Sequence, residues 1–478
     1  MSFAADLPGA IKRAWLRFKR FLGGDVSSWA IERQFRHFFG SAFDRLENHE
    51  KSFPGFDLAS VNRALASIQH ECCAEFRAVG CLSWPNMRQF FDQCKVNIGT
   101  RAIKPASLIY QRVAIDVDEE ASVVVNGLYL AVMKTGEQVA VHLRSGQSRY
   151  MAWDDMEGRQ IPQQEVTIEI ACQARAVADR FFKELEQRRQ RLSIYRGKVI
   201  DPVLHGGVIN SIGFRAIKRV PAEDLILPPS VQDLIRNSVL GFYEHRDLLQ
   251  SLGIEMKRGI LLHGPPGTGK TSICLHLAGL LPHFTICIVS GERLLYPREI
   301  CRMARYLQPT MIVFEDIDLI ALARDANGLA TVLGELMNQI DGCEPTDQVL
   351  FMMNTNSLER LESAVRNRPG RVDQIIEVPV PDREARTRLI HRFSRNVQLD
   401  LGAGAMDRVL DSTDGMTPAM LKEIVKRAAV SAIDRNGVNG GPAVLVGEAD
   451  LLLAAQQVQG MREPIAPGSL GFHRRRQS

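Results

Sequence analysis

The chain has no run of about 18 uncharged apolar residues, so no segment reads as a bilayer-spanning helix. It also has no C-x-x-C pair. Its nine cysteines are scattered, and Cys72 and Cys73 are neighbours, which rarely bridge. With no secretory signal at Met1, this pattern points to reduced thiols and a cytoplasmic setting. Charge of one sign is scarce too. A net +4 over 478 residues gives no whole-molecule field for nucleic acid, so charge matters only where it clusters. There is no H-E-x-x-H and no Ser-Lys dyad context, which argues against a built-in protease. What remains is an ordinary globular composition, 45% hydrophobic and 24% charged. The length suits roughly two to four domains of ~100–200 residues each.

The patterning changes along the chain. Residues 10–22 (AIKRAWLRFKRFL) have a helical period, with Trp15, Phe18 and Phe21 on one face and five basic residues elsewhere. That suits either an interfacial membrane anchor or a helix packed on its own protein. Residues 26–100 read as mostly helical. From about 106 to 171, β-branched runs separated by acidic and glycine-containing turns read as a small antiparallel sheet. A long helix is expected over 175–192. Residues 1–200 are therefore expected to form an α+β domain that selects a partner or regulates. Residues 201–224, with Gly and Pro and little periodicity, read as a linker. From 225 the pattern is that of a parallel α/β domain to 380, then a helical domain to 462. Residues 463–478 have the composition of a disordered tail.

The strongest signal is GPPGTGKT, residues 264–271, between an apolar strand (Ile260–Leu262) and a helix. This is G-x-x-x-x-G-K-T in its strand–loop–helix setting. Gly264, Pro265, Pro266, Gly267, Thr268 and Gly269 form a loop whose backbone N–H groups can converge on phosphate oxygens. The helix that begins near Lys270, Thr271 and Ser272 offers its positive end to the same anion. Lys270 can reach the β- and γ-phosphates and the Thr271 hydroxyl can ligate Mg²⁺, so ATP and Mg²⁺ are the expected cofactors. A second strand ends in FEDID, residues 314–318, where acids at a parallel strand end would face the metal. A third, VLFMMNTN, ends in Asn356. After it, AVRNRPGRVD (364–373) carries Arg368 and Arg371 around a Pro-Gly turn.

On these motifs, residues from about 225 to 460 resemble an ATPase of the AAA family. The resemblance implies a P-loop NTPase parallel sheet with a C-terminal helical lid. It implies that Asn356 orients the attacking water, and that Arg368 and Arg371 are fingers reaching the γ-phosphate of the adjacent subunit. TDGMTPAMLKEIVKRAA (413–429) resembles the start of the lid, with Gly415 and Thr417 near the adenosine. The family's usual acid order is reversed here. Glu315 falls at the metal-side position and Asp316 at the position of the base. An aspartate base is one methylene shorter, and a misplacement of ~1 Å can cost roughly 10²-fold unless the backbone shifts. Retention of Asp318, Asn356 and the arginines favours an active site.

The segment between VSG (289–291) and Pro309 is shorter than the family's usual pore-loop region, and Tyr296 is followed by Pro297. Leu294, Leu295 and Tyr296 are expected to face the core. The shortening and the acid order resemble the subgroup that includes the mitochondrial translocase of the Rieske iron–sulfur protein, and its bacterial relatives. The expected function is therefore an ATP-hydrolysing ring, usually a hexamer, that remodels or disassembles a protein client. The alternative is a nucleotide-gated scaffold at a membrane surface, held peripherally by residues 10–22. Arg474, Arg475 and Arg476 are weak grounds for a nucleic-acid loader.

Overall fold

A computed structural model describes residues 34–80, 107–154, 159–205, 207–216, 220–319, 330–359, 361, 372–436 and 444–460. The basic segment 10–22, the tail 463–478, Arg368 and Arg371 lie outside the described residues. The chain divides into two compact units. One comprises Met1–Ala216 with His283–Cys287 and Arg302–Gln308; the other comprises Ile217–Pro282, Ile288–Cys301 and Pro309–Ser478.

The first unit is built on an antiparallel sheet. Its strands are β1 (Glu47–Pro54), β2 (Cys73–Ala78), β3 (Ile109–Ala114), β4 (Glu120–Met133), β5 (Gln138–Asp154) and β6 (Arg159–Cys172). Their order is β1-β6-β5-β4-β2, with β3 also on β4. Helices α1 (Leu58–Cys72) and α2 (Arg175–Arg191) pack on each other and on the sheet. Cross-strand register places Val141 beside Ile170 and Leu143 beside Ile168 on one buried face. The opposite face carries His142 beside Glu169 and Arg144 beside Thr167, all buried. Farther along that face, Phe35, Phe39 and Phe43 close over Leu128, Leu130, Ala140 and Ala171. Two expectations change here. Within 26–100 the described residues 34–80 are mostly helical, as expected, but β1 and β2, which were not expected, flank α1. β1 is an edge strand in which Phe53 alone is buried, so it had little apolar alternation to display. The stretch read as linker forms β7 (Val199–His205) and β8 (Val208–Phe214), an antiparallel pair.

Within this unit, Asp57 at the start of α1 is fully buried and pairs with Arg189 of α2 at 2.9 Å. The Tyr306 hydroxyl donates to the same carboxylate oxygen at 2.6 Å, and the Arg189 guanidinium lies 4.1 Å from the Tyr306 ring centroid. Burial pushes the Asp57 pKa up, and Arg189 pulls it partly back.

The second unit carries the parallel sheet and helical lid expected of the sequence. Strands β9 (Arg258–His263), β10 (Thr285–Val289), β11 (Thr310–Phe314), β12 (Val349–Thr355) and β13 (Gln374–Glu377) alternate with helices α3 (Lys270–Leu280), α4 (Pro297–Tyr306) and α5 (Ala330–Asp341). Its ladders run β13-β9-β12-β11, all parallel. Every residue of β11 and β12 is buried, as parallel strands covered on both faces require. The division between the units passes through β10 and α4. The lid comprises α6 (Arg383–Phe393), α7 (Ala405–Ser412), α8 (Pro418–Asn436) and α9 (Glu448–Gly460), with the short pair β14 (Gln398–Asp400) and β15 (Leu445–Gly447). Leu389, Val409, Leu421, Ile424 and Leu451 form its core. Among the described residues no helix is long and apolar enough to cross a membrane.

The Asp57–Arg189 pair generates a stability prediction. Arg189→Met leaves a buried carboxylate without its cation and should cost about 3–5 kcal/mol in urea unfolding near pH 7. The folded pKa of Asp57 already lies above its unfolded value, so its ionisation opposes folding as pH rises through that interval. Losing Arg189 raises it further, and the deficit of the variant should therefore narrow at about pH 4. A deficit independent of pH would assign the cost to packing instead.

Candidate functional site

β9 ends at His263 and the loop 264–269 delivers the chain to α3. Gly264 and Gly267 are required by both conformation and space. Their φ angles are +148° and +81°. A Cβ at Gly264 would collide with the Val378 carbonyl, and one at Gly267 would lie 2.8 Å from the Ala419 Cβ. Lys270 opens α3 and is buried at 6% exposure. Its ammonium donates to Gly264 O at 2.7 Å, Pro265 O at 3.0 Å and Asn356 Oδ1 at 2.8 Å. Burial draws the Lys270 pKa down, while Asp316 and Asp318 push it up. A cation curled onto the carbonyls of its own loop, at a helix N-terminus, is arranged to receive an anion.

The acids lie opposite. The Thr271 hydroxyl donates to Glu315 Oε1 at 2.6 Å, which puts two hard oxygen donors side by side. Asp316 has φ +52° and is the one non-glycine residue with positive φ among the described residues. Such a backbone costs of order 1–3 kcal/mol and persists where neighbours over-determine it. The neighbours are visible. The Glu315 N–H bonds Val289 O at the end of β10, and the Ile317 N–H bonds Asn354 O on β12. Asp316 turns the chain between those two bonds. Its carboxylate accepts from Asn356 Nδ2 at 3.0 Å, so Asn356 joins Lys270 to Asp316. Asp318, buried at 6%, accepts from the Thr355 hydroxyl at 3.1 Å and the Asn356 N–H at 3.2 Å.

These groups surround one cavity of about 760 Å³. Residues 266–272, Glu315, Asp316 and Asn356 line it. Gly264 and Pro265 stand behind it, with their carbonyls on Lys270. Gly415 and Thr417 do not line it; Pro418 and Ala419 do. Gly415 has φ +65° and turns the chain into α8, and Thr417 is buried beneath Gly267. The expected sensor Asn356 reaches the polar groups, whereas Asn354 is buried against the Cys274 thiol at 3.7 Å. Sequence reasoning missed the opposite wall, formed by Val220, Asp224–Leu227, Leu389, Arg392, Phe393 and Lys422. No spacing announces it, because its two parts come from the end of a supposed linker with the first residues of the α/β domain, and from lid positions. In the segment after Gly291, Leu294 is buried, while Leu295 and Tyr296 are half-buried.

Residues 260–380 match the model of the ATPase family associated with various cellular activities (AAA). The chain is 35% identical over 215 residues to the 26S proteasome regulatory subunit 8 homolog of Schizosaccharomyces pombe, covering 41% of this chain and 52% of that protein. It is 34% identical over 227 residues to the proteasome-activating nucleotidase of Aeropyrum pernix, covering 44% and 53% respectively. The chain thus spans about half the length of the curated relatives it matches. Among solved structures, the FIGL-1 AAA domain aligns with 22% identity and a TM-score of 0.43, over 51% of this chain and 85% of that one.

Asp318 generates the next prediction. Asp318→Ala leaves the Thr355 hydroxyl and the Asn356 N–H without their shared acceptor in a buried setting. The expected loss is about 1–3 kcal/mol in denaturant unfolding.

Proposed function

We propose that the chain is an ATP-hydrolysing AAA ring protein, which couples Mg-ATP turnover at subunit interfaces to remodelling or disassembly of a protein client. The observation that carries this reading is the hydrogen-bonded chain Lys270–Asn356–Asp316 across the loop cavity. The ammonium at the loop and the paired oxygens of Thr271 and Glu315 fit a triphosphate and a hard divalent cation. Thr271 and Glu315, with Asp316 beside them, would hold Mg²⁺. Once bound, that ion would neutralise charge building on the β- and γ-phosphate oxygens. Lys270 exchanges its loop carbonyls for phosphate oxygens. Asp316 accepts the proton of the attacking water, and Asn356, on a hydrogen bond to that carboxylate, orients the water. The left-handed backbone at Asp316 offers the shift that a shorter base requires. Arg368 and Arg371, outside the described residues, act as fingers on the neighbour's γ-phosphate.

Similarity to a proteasome-activating nucleotidase supports a client of protein type. Residues 1–200 would select that client or regulate the ring. The partly buried segment after Gly291 offers no exposed apolar loop, which favours the subgroup resembling the Rieske-protein translocase over a tight threading machine.

The test is the ATPase rate per subunit against protein concentration, with Mg²⁺ present. A steep rise to saturation is expected, because the fingers act in trans. Lys270→Ala should remove most nucleotide binding. Asp316→Asn should retain binding and lower turnover roughly 10²-fold or more. Normal turnover in Asp316→Asn would sink the assignment of the base. Zero turnover at every concentration, with ATP still bound, would replace the motor by a nucleotide-gated switch.

A further inference from the structure

The wall missed by the sequence has its own construction. Residues 220–228 form a strap with a single 3₁₀ turn, Ala222–Asp224. At its start, Val220 O lies 2.7 Å from His276 Nδ1 on α3, the helix that follows the loop. Farther on, Ile226 packs against the lid core. Between these, Asp224 pairs with Arg392 at the end of α6 and, at 3.3 Å, with Arg395 just beyond it. The Asp224 side chain is 14% exposed. Both Asp224 and Arg392 line the cavity.

The lid therefore meets the rest of the unit on two sides of the cavity. On the phosphate side the Ala419 N–H bonds Gly267 O at 3.2 Å. On the other side the connection is ionic, with one carboxylate serving two guanidiniums. Burial and the Arg395 charge lower the Arg392 pKa, and Glu223 pushes it partly back. Remove the carboxylate, and two like charges face each other at the junction of strap and lid. A partly buried charge pair acts mainly on dissociation, because breaking it changes how long the lid stays on the strap.

We propose that Asp224 is a positioning residue for nucleotide retention: with Arg392 and Arg395 it latches the lid to the strap and so sets how fast nucleotide leaves the cavity. The inference rests on the proposed nucleotide site. It assigns Asp224 no part in the chemistry. The latch governs release after hydrolysis, and with it the interval during which the closed subunit can act on a partner.

The full chain is used for the test, with stopped-flow release of a fluorescent ADP analogue and hydrogen exchange over 220–228 without nucleotide. Asp224→Asn is expected to release the analogue roughly tenfold faster with little change in association rate. Exchange over 220–228 should also quicken. Asp224→Glu, which keeps the charge, should return both quantities towards wild type. Arg383→Ala is the control, since it breaks exposed pairs to Asp407 and Asp411 inside the lid. Unchanged release and exchange in Asp224→Asn overturns the latch. Equal acceleration by Arg383→Ala also overturns it, as general loosening of the lid. If wild type binds no adenine nucleotide, the proposed function fails, and exchange over 220–228 still decides whether Asp224 holds the strap.

Discussion

The buried ammonium of Lys270 is the constraint around which the second unit is organised. A cation at 6% exposure needs acceptors on several sides, because burial without partners would discharge it. Two acceptors are carbonyls of its own loop, which point inward only because Gly264 and Gly267 adopt backbones closed to other residues. The third is Asn356, held by Asp318 through its backbone N–H. Three parallel strands must therefore end in register for one lysine to be satisfied. β9 supplies the loop, β11 the acids and β12 the asparagine. The sheet order β9-β12-β11 puts those three ends side by side.

Much of this was legible before any coordinates. The loop declares itself because its chemistry needs particular residue types at invariant spacing, and the buried strands announce themselves by uninterrupted apolar runs. Glu315, Asp316 and Asn356 follow by counting strands. The rest was hidden for physical reasons. β1 is an edge strand with a single buried side chain, and such a strand has no pattern to read. The strap at 220–228 works through backbone position and one carboxylate, and Asp224 finds Arg392 across 167 intervening positions of chain that no periodicity connects. Asp318 was seen as part of a motif, but its task, carrying the backbone of Asn356, is a matter of three-dimensional register alone.

The two units spend buried charge differently. In the first unit, Asp57 and Arg189 are sealed together with Tyr306, and nothing about them depends on a ligand. A pair of that kind is poor evidence of net stabilisation. It is costly to break once formed, and it therefore specifies how α1 and α2 sit. In the second unit the buried charges open onto a cavity. Lys270 is met by neutral acceptors, and Asp224 is outnumbered by arginines. The lining of that cavity carries three cations, Lys270, Arg392 and Lys422, and three carboxylates, Asp224, Glu315 and Asp316, so its charges are balanced as a set rather than pair by pair.

The reversed acid pair gains a physical reading from the same frame. Glu315 has the longer side chain and its backbone stays on the ladder, bonded to Val289, so it reaches outward to Thr271. Asp316 has the shorter side chain and leaves the ladder by a left-handed turn, which brings its carboxylate to Asn356. Length and backbone compensate each other: a longer acid on a regular residue, and a shorter acid on a displaced one. Aspartate tolerates the left-handed region better than glutamate does, because its short side chain can bond the local backbone. The order Glu-Asp is thus the order that this bend favours, and exchanging the two acids would put the less tolerant residue at the strained position. The strain is of the size that a few hydrogen bonds can hold, and three of them, from Val289, Asn354 and Asn356, converge on residues 315–317.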